Sequence, residues 1–179
     1  GKEVKERFTD KTVNELVKAC FDMGEVKTGA LIVIEQNIRL NEYERTGINV
    51  DAVLTSQLLI NIFEHNTPLH DGAVLVRGNR IVAATCYLPL SDNMELSKQL
   101  GTRHRAGVGI SEVSDSLTII VSEETGQVSV AENGKLSRGL TSAELRAALV
   151  KAQNKKVINN SKLRHLLKGR MRREENKAD

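Results

Sequence analysis

The sequence predicts a single α/β domain in which amphipathic helices cover a buried β-sheet, and three observations carry that expectation. A helical repeat of apolar positions leads into Ala30-Leu31-Ile32-Val33-Ile34, a run with the length of a strand and apolar on both faces. Two more runs, Ala73 to Arg77 and Arg80 to Tyr87, flank Gly78-Asn79, a dipeptide suited to a two-residue hairpin turn. The chain has 179 residues, enough for one compact domain with one substantial core. Helix followed by buried strand is the signature of a layered α/β arrangement.

The elements follow in order. Val13, Leu16, Val17 and Cys20 recur at helical spacing behind Thr12 and Glu15, read as a capping box, so a helix is expected over Asp10 to Met23, with Gly24 as its stop. After the strand Ala30 to Ile34, the polar stretch from Asn37 to Asn49 reads as loop. Leu54, Leu58, Leu59, Ile62 and Phe63 mark a second helix, ended near His65-Asn66 because the residue before Pro68 disfavours helical backbone. The hairpin comes next. Ser91 to Leu100 is expected as a short helix, and a further helix opens at Gly101-Thr102-Arg103-His104-Arg105 and reaches about Val113. Leu117 to Ser122 and Gln127 to Ala131 read as paired strands. Thr141 and Glu144 then form a capping box for a last helix through Leu145 and Leu149. These expectations divide the chain into an N-terminal linker (1–9), a folded domain (10–153) and a basic tail (154–179).

Composition excludes several classes. Apolar residues are 40% and charged residues 27% of the chain, the balance of a globular protein rather than a disordered one. Ala30 to Ile34 is the longest apolar stretch and cannot span a bilayer, and residues 1–6 lack the apolar segment of a signal peptide, so the chain as given is expected to be soluble. Cys20 and Cys86 stand apart among apolar neighbours, which favours packing thiols over a disulfide or zinc site. The net charge of +3 is concentrated between Lys162 and Arg173, read as a solvated end; no nucleic-acid partner is expected from it.

Three clusters interrupt sequence that otherwise reads as core. In His70-Asp71-Gly72, the acid is either a turn former or a hard oxygen ligand that also draws a proton from a hydroxyl, with Gly72 admitting a ligand to the backbone. In Thr102-Arg103-His104-Arg105, the arginines are either a surface charge cluster or phosphate donors at a helix N-terminus. The second reading gains weight because positive charge opposes the helix dipole there unless an anion is bound. Ser122-Glu123-Glu124-Thr125-Gly126, at the end of a buried strand, is either an acidic turn or part of a ligand site beyond the sheet. Carboxylates, arginines and hydroxyls together suit phosphoryl or nucleotidyl transfer. No P-loop, HExxH, GxSxG or complete GxGxxG is present.

Asp71-Gly72-Ala73 and Arg103-His104-Arg105 resemble the paired DGA and RHR signatures of the diadenylate cyclase (DAC) family. Pro68-Leu69-His70, Leu88-Pro89-Leu90-Ser91, Gly101-Thr102 and Gly109-Ile110-Ser111-Glu112 stand around them in the matching order. The resemblance covers about Val26 to Ala131 and is greatest to the membrane-anchored, CdaA-type branch. It implies a central mixed β-sheet flanked by helices, and an enzyme condensing two ATP into cyclic di-AMP and two pyrophosphates across a face-to-face homodimer, with Mg²⁺ or Mn²⁺. By that resemblance the catalytic residues are Asp71, Gly72, Arg103, His104 and Arg105. ATP would be contacted by Tyr87, Leu88, Thr102, Arg103, Ser122 and Glu124, and the metal by His70, Asp71 and Glu124. The domain would then be the cytoplasmic part of a bacterial inner-membrane protein. A catalytically silent nucleotide-binding signalling module uses the same residues and stands as the alternative.

Overall fold

A computed structural model describes residues 6–158 and, beyond them, His165. Helices cover both faces of a seven-stranded mixed sheet of order β2-β4-β3-β1-β5-β6-β7, as the resemblance implied. The strands are β1 (Ala30–Ile34), β2 (Ile48–Val53), β3 (Ala73–Arg77), β4 (Arg80–Cys86), β5 (Leu117–Val121), β6 (Val128–Glu132) and β7 (Lys135–Ser137). Only β1 and β3 pair in parallel, Ile32 beside Val74 and Ile34 beside Val76; every other pairing is antiparallel. The helices are α1 (Asp10–Glu25), α2 (Asn41–Glu44), α3 (Ser56–Phe63), α4 (Thr102–Val113) and α5 (Ser142–Gln153).

Strand alternation explains why β1 is apolar throughout. Ile32 and Ile34 face a core shared with α1, α3 and α5, through Leu16, Cys20, Leu59, Phe63, Leu145 and Leu149. Leu31 and Val33 face a second core with Ala106, Val108 and Ile110 of α4. Both cysteines are buried and free, and burial pushes the Cys20 thiol to about 12 and the Cys86 thiol to about 11, which keeps them protonated packing groups.

Several local expectations need correction. The cap of α1 is Thr9, whose hydroxyl accepts from the Thr12 N–H; Glu15 instead accepts from the Ser56 N–H at 2.5 Å and so ties α1 to the start of α3. Residues 91–100 form turns rather than a helix. Side-chain oxygens of Ser91, Asn93 and Ser97 accept from the N–H groups of Asn93, Glu95 and Gln99, taking donors a helix would need. The stretch 37–49 contains α2 and enters β2, and β7 adds an edge strand after the Asn133-Gly134 turn. The capping box of Thr141 and Glu144 is present in both directions at α5.

The two ends of the described chain meet at one pole of the sheet. Arg7 N–H donates to the Gln153 carbonyl at 3.0 Å and its guanidinium to the Lys155 carbonyl at 3.2 Å. Phe8, in the stretch read as linker, is 2% exposed. Asp115, just before β5, accepts from the N–H groups of Asn37 and Ile38 and from the Lys155 ammonium, all at 3.0–3.1 Å. Asn79, in the β3–β4 turn at the same pole, accepts from the Thr9 N–H. Of the basic tail, Lys155 and Lys156 are described, while Lys162, Arg164, Lys168, Arg170, Arg172 and Arg173 lie outside the described residues.

Candidate functional site

A cavity of about 880 Å³ opens at the other pole, where β4 and β5 end and β1, β3 and β6 begin. It is lined by His70, Asp71, Gly72, Tyr87, Leu88, Thr102, Arg103, His104, Ser122 and Glu124, every residue expected at the site except Arg105. Asp71 and Arg103, thirty-two positions apart in sequence, therefore share one cleft.

Gly72 holds the Asp71 turn against the sheet. Its φ of 85° lies in the left-handed region, and a Cβ there would come within 3.0 Å of the Cys86 carbonyl oxygen and the Thr85 carbonyl carbon. β4 carries an extra residue at this point: Ala73 pairs with Cys86 but Leu75 with Ala83, and Thr85 takes a φ of 54°. A β-branched residue at such a φ is strained, and the strain sits beside the Asp71 turn. The Asp71 carboxylate accepts from the Gly72 N–H at 3.1 Å and has no cationic partner among the described residues. His70 Nδ1 lies 2.6 Å from the Thr67 carbonyl oxygen. As the donor in that contact, Nδ1 leaves Nε2 with a free lone pair, the form in which imidazole ligates metals.

Opposite, α4 begins with Gly101 as its cap and without a side-chain cap, so its first backbone N–H groups remain open to a ligand. The Arg103 guanidinium lies over Gly29, where any Cβ would overlap it. Its Nη1 is 3.4 Å from Glu123 Oε2; that carboxylate is 62% exposed, so the pair is weak and leaves the guanidinium able to exchange it for another anion. His104 is 8% exposed. Burial, and then the charges of Arg138 and Arg103, push its imidazole below the ordinary value, with Glu124 opposing them. Arg105 is not among the residues lining the cavity; its backbone carbonyl accepts from the Ser91 N–H at 2.9 Å and fastens that segment to α4. Ser122 Oγ accepts from the N–H groups of Glu124 and Thr125, both at 3.2 Å, which leaves its own proton to donate.

Tyr87 is 77% exposed at the mouth while Leu88 is buried beneath it; with Leu31 and Ala106 they make an apolar wall beside a charged one. An aromatic face and aliphatic floor beside arginines and open N–H groups can accept a flat base at one end and phosphates at the other. Among the described residues no three His, Cys, Asp or Glu side chains are grouped to hold a metal ion, so His70, Asp71 and Glu124 do not form a ready-made cage. Hard carboxylate oxygens and a free imidazole nitrogen nonetheless suit a divalent ion whose coordination the ligand's phosphates complete, the usual manner for Mg²⁺. Glu123, of the acidic cluster, also lines the cavity, and so do His65 and Arg138, which the sequence had not singled out. Nothing in Leu136-Ser137-Arg138 distinguishes Arg138 from a surface arginine.

The family described as DAC, DisA bacterial checkpoint controller nucleotide-binding, matches residues 17–136. The chain is 52% identical over 165 residues to the cyclic di-AMP synthase CdaA of Bacillus subtilis, covering 92% of this chain and 60% of that protein. It is 50% identical over 146 residues to the diadenylate cyclase of Listeria monocytogenes, covering 82% of this chain and 54% of that protein. The chain thus spans little more than half the length of these relatives. The crystal structure of DacA from Staphylococcus aureus, a double mutant, superposes with a TM-score of 0.79 at 48% identity, covering 80% of this chain and 96% of that one. A hypothetical membrane spanning protein from Bacillus cereus superposes with a TM-score of 0.71 at 46% identity, covering 75% of this chain and 65% of that one. Among the described residues no helix is long and apolar enough to cross a membrane.

Proposed function

The chain belongs to the DAC family of nucleotide-binding domains, and from that premise we propose that it is a diadenylate cyclase domain, condensing two ATP into cyclic di-AMP and two pyrophosphates. The observation that carries the reading is the meeting of Asp71 and Arg103 on one cavity. The names of the Bacillus subtilis and Listeria monocytogenes relatives agree with it.

Each bond is made by the 3′-hydroxyl oxygen of one ATP attacking the α-phosphorus of the other, with loss of the bond from that phosphorus to the bridging oxygen of pyrophosphate. Asp71 accepts the hydroxyl proton; its carboxylate, lacking a cationic partner, is open to this role. Arg103 and the first N–H groups of α4 hold phosphate oxygens, Ser122 donates to the triphosphate, and Tyr87 with Leu88 borders the adenine. His104, kept neutral by its surroundings, orients the helix tip. Asp71, His70 through Nε2, and Glu124 would hold Mg²⁺ or Mn²⁺, which supplies neutralisation of charge on the phosphate oxygens.

Two equivalent bonds between identical nucleotides are most directly made by a two-fold pair of half-sites, each bringing one ATP. A membrane-anchored whole protein is the matching context, supported by the description of the Bacillus cereus neighbour. The test is incubation with ATP and Mn²⁺ over a range of protein concentrations, following pyrophosphate and cyclic dinucleotide. Specific activity that rises with concentration is expected. Binding of ATP without turnover at any concentration overturns the enzyme in favour of a silent module.

A further inference from the structure

Two guanidinium groups line the cavity, and their circumstances differ. Arg103 stands over Gly29, at the entry to the central strand β1, and is paired with Glu123. Arg138 follows the edge strand β7, and among the described residues its guanidinium makes no ion pair and no hydrogen bond. An exposed arginine is ordinary, but this one lines the cavity and bears on the charge of His104.

Its backbone is held. Leu140 N–H donates to the Val128 carbonyl at 2.8 Å, and Gly139, with a φ of 64°, turns beside the Gln127 side chain. The sheet order then arranges the cavity wall from end to end: Tyr87 at the close of β4, Asp71 before β3, Ser122 after β5, and Arg138 after β7. On the reading of the cavity as an ATP site, a nucleotide with its base against Tyr87 and Leu88 would run its phosphates toward β7, so that the terminal phosphates would lie on the Arg138 side of Arg103.

We propose that Arg138 binds the β- and γ-phosphate oxygens of ATP, the two groups that depart together as pyrophosphate. This rests on the reading of the cavity as an ATP site. When the bond between the α-phosphorus and the bridging oxygen breaks, the electron pair stays on that oxygen, and a guanidinium at the pyrophosphate end offsets the added charge without desolvating a paired carboxylate.

The experiment compares the whole chain with Arg138→Ala and Arg138→Lys, by calorimetric titration with 3′-deoxy-ATP, which binds but cannot cyclise, with AMP, and with inorganic pyrophosphate, all in Mg²⁺. In Arg138→Ala the affinities for 3′-deoxy-ATP and pyrophosphate are expected to fall roughly 10- to 100-fold, the effect of losing hydrogen bonds to a charged group. AMP affinity and the ligand-free melting temperature stay as in the parent, and Arg138→Lys falls between. An unchanged ratio of 3′-deoxy-ATP to AMP affinity in Arg138→Ala overturns the assignment while leaving the ATP site in place, as does equal weakening of both ligands. Failure of the parent itself to bind 3′-deoxy-ATP removes the ATP site, and this assignment with it.

Discussion

Replacing Gly29 with alanine separates the placement of Arg103 from its chemistry. A Cβ on Gly29 would stand 2.5 Å from Cζ and 3.0 Å from Nη2 of Arg103, and closer still to Nη1. What must move is the far end of a flexible side chain rather than backbone. Gly29 is not among the residues with positive φ, so alanine fits the backbone, and the unfolded chain loses freedom by about 0.4–1 kcal/mol in favour of folding. On the proposed reading, the guanidinium displaced from the start of β1 should no longer meet the phosphate as a fork. Hydrogen bonds to a charged group contribute about 1.5–3 kcal/mol, and each 1.4 kcal/mol is about tenfold, so the dissociation constant for 3′-deoxy-ATP should rise roughly 10- to 100-fold. Calorimetric titration beside a thermal melt reads both quantities. An unchanged affinity at an unchanged melting temperature refutes the claim that Gly29 sets the working position of Arg103; a large loss of stability refutes the claim that Arg103 yields freely.

Asp71→Asn should leave the melting temperature near that of the parent and lower cyclic di-AMP formation by about 10²–10⁴-fold, the usual contribution of a general base; normal turnover removes Asp71 from the mechanism. Gly72→Ala forces a side chain into a left-handed φ against the backbone of Thr85 and Cys86, and is expected to cost roughly 1–3 kcal/mol in urea unfolding, with an unmoved midpoint counting against the strain argument. The lowered proton affinity of His104 ties stability to pH, because the unfolded chain takes up this proton before the folded one does. Its contribution is complete above about pH 6.5, the ordinary histidine value, and declines as the pH falls below it. His104→Asn should therefore show a shallower drop in melting temperature than the parent between about pH 6.5 and 5, and parallel curves would refute the assignment.

What could be read from the sequence was whatever short-range physics decides. β1 and the β3–β4 hairpin follow from apolar runs and a glycine turn, and α5 from a capping box whose two halves lie three residues apart. The errors came where a partner distant in sequence decides. Glu15 has the spacing of a cap but serves Ser56, forty-one positions away. β2 carries the exposed alternation of an edge strand and pairs with β4 around a register shift, so its apolar residues are too few to stand out in a polar stretch. At the site, the conflict of arginines with a helix dipole made Arg103 visible, and the order of motifs tied it to Asp71. Arg138 reaches the cavity only because β6 and β7 turn back along the sheet, which no local pattern announces.

The hydrogen-bonded knot of Arg7, Asn37, Asp115 and Lys155 lies across the sheet from the cavity mouth. Arg7 and Lys155, near the two ends of the described stretch, therefore stand at the pole opposite the cavity entrance. A reporter joined directly before residue 6 or after residue 158 would start from that far pole, so an attachment made there should leave the entrance clear.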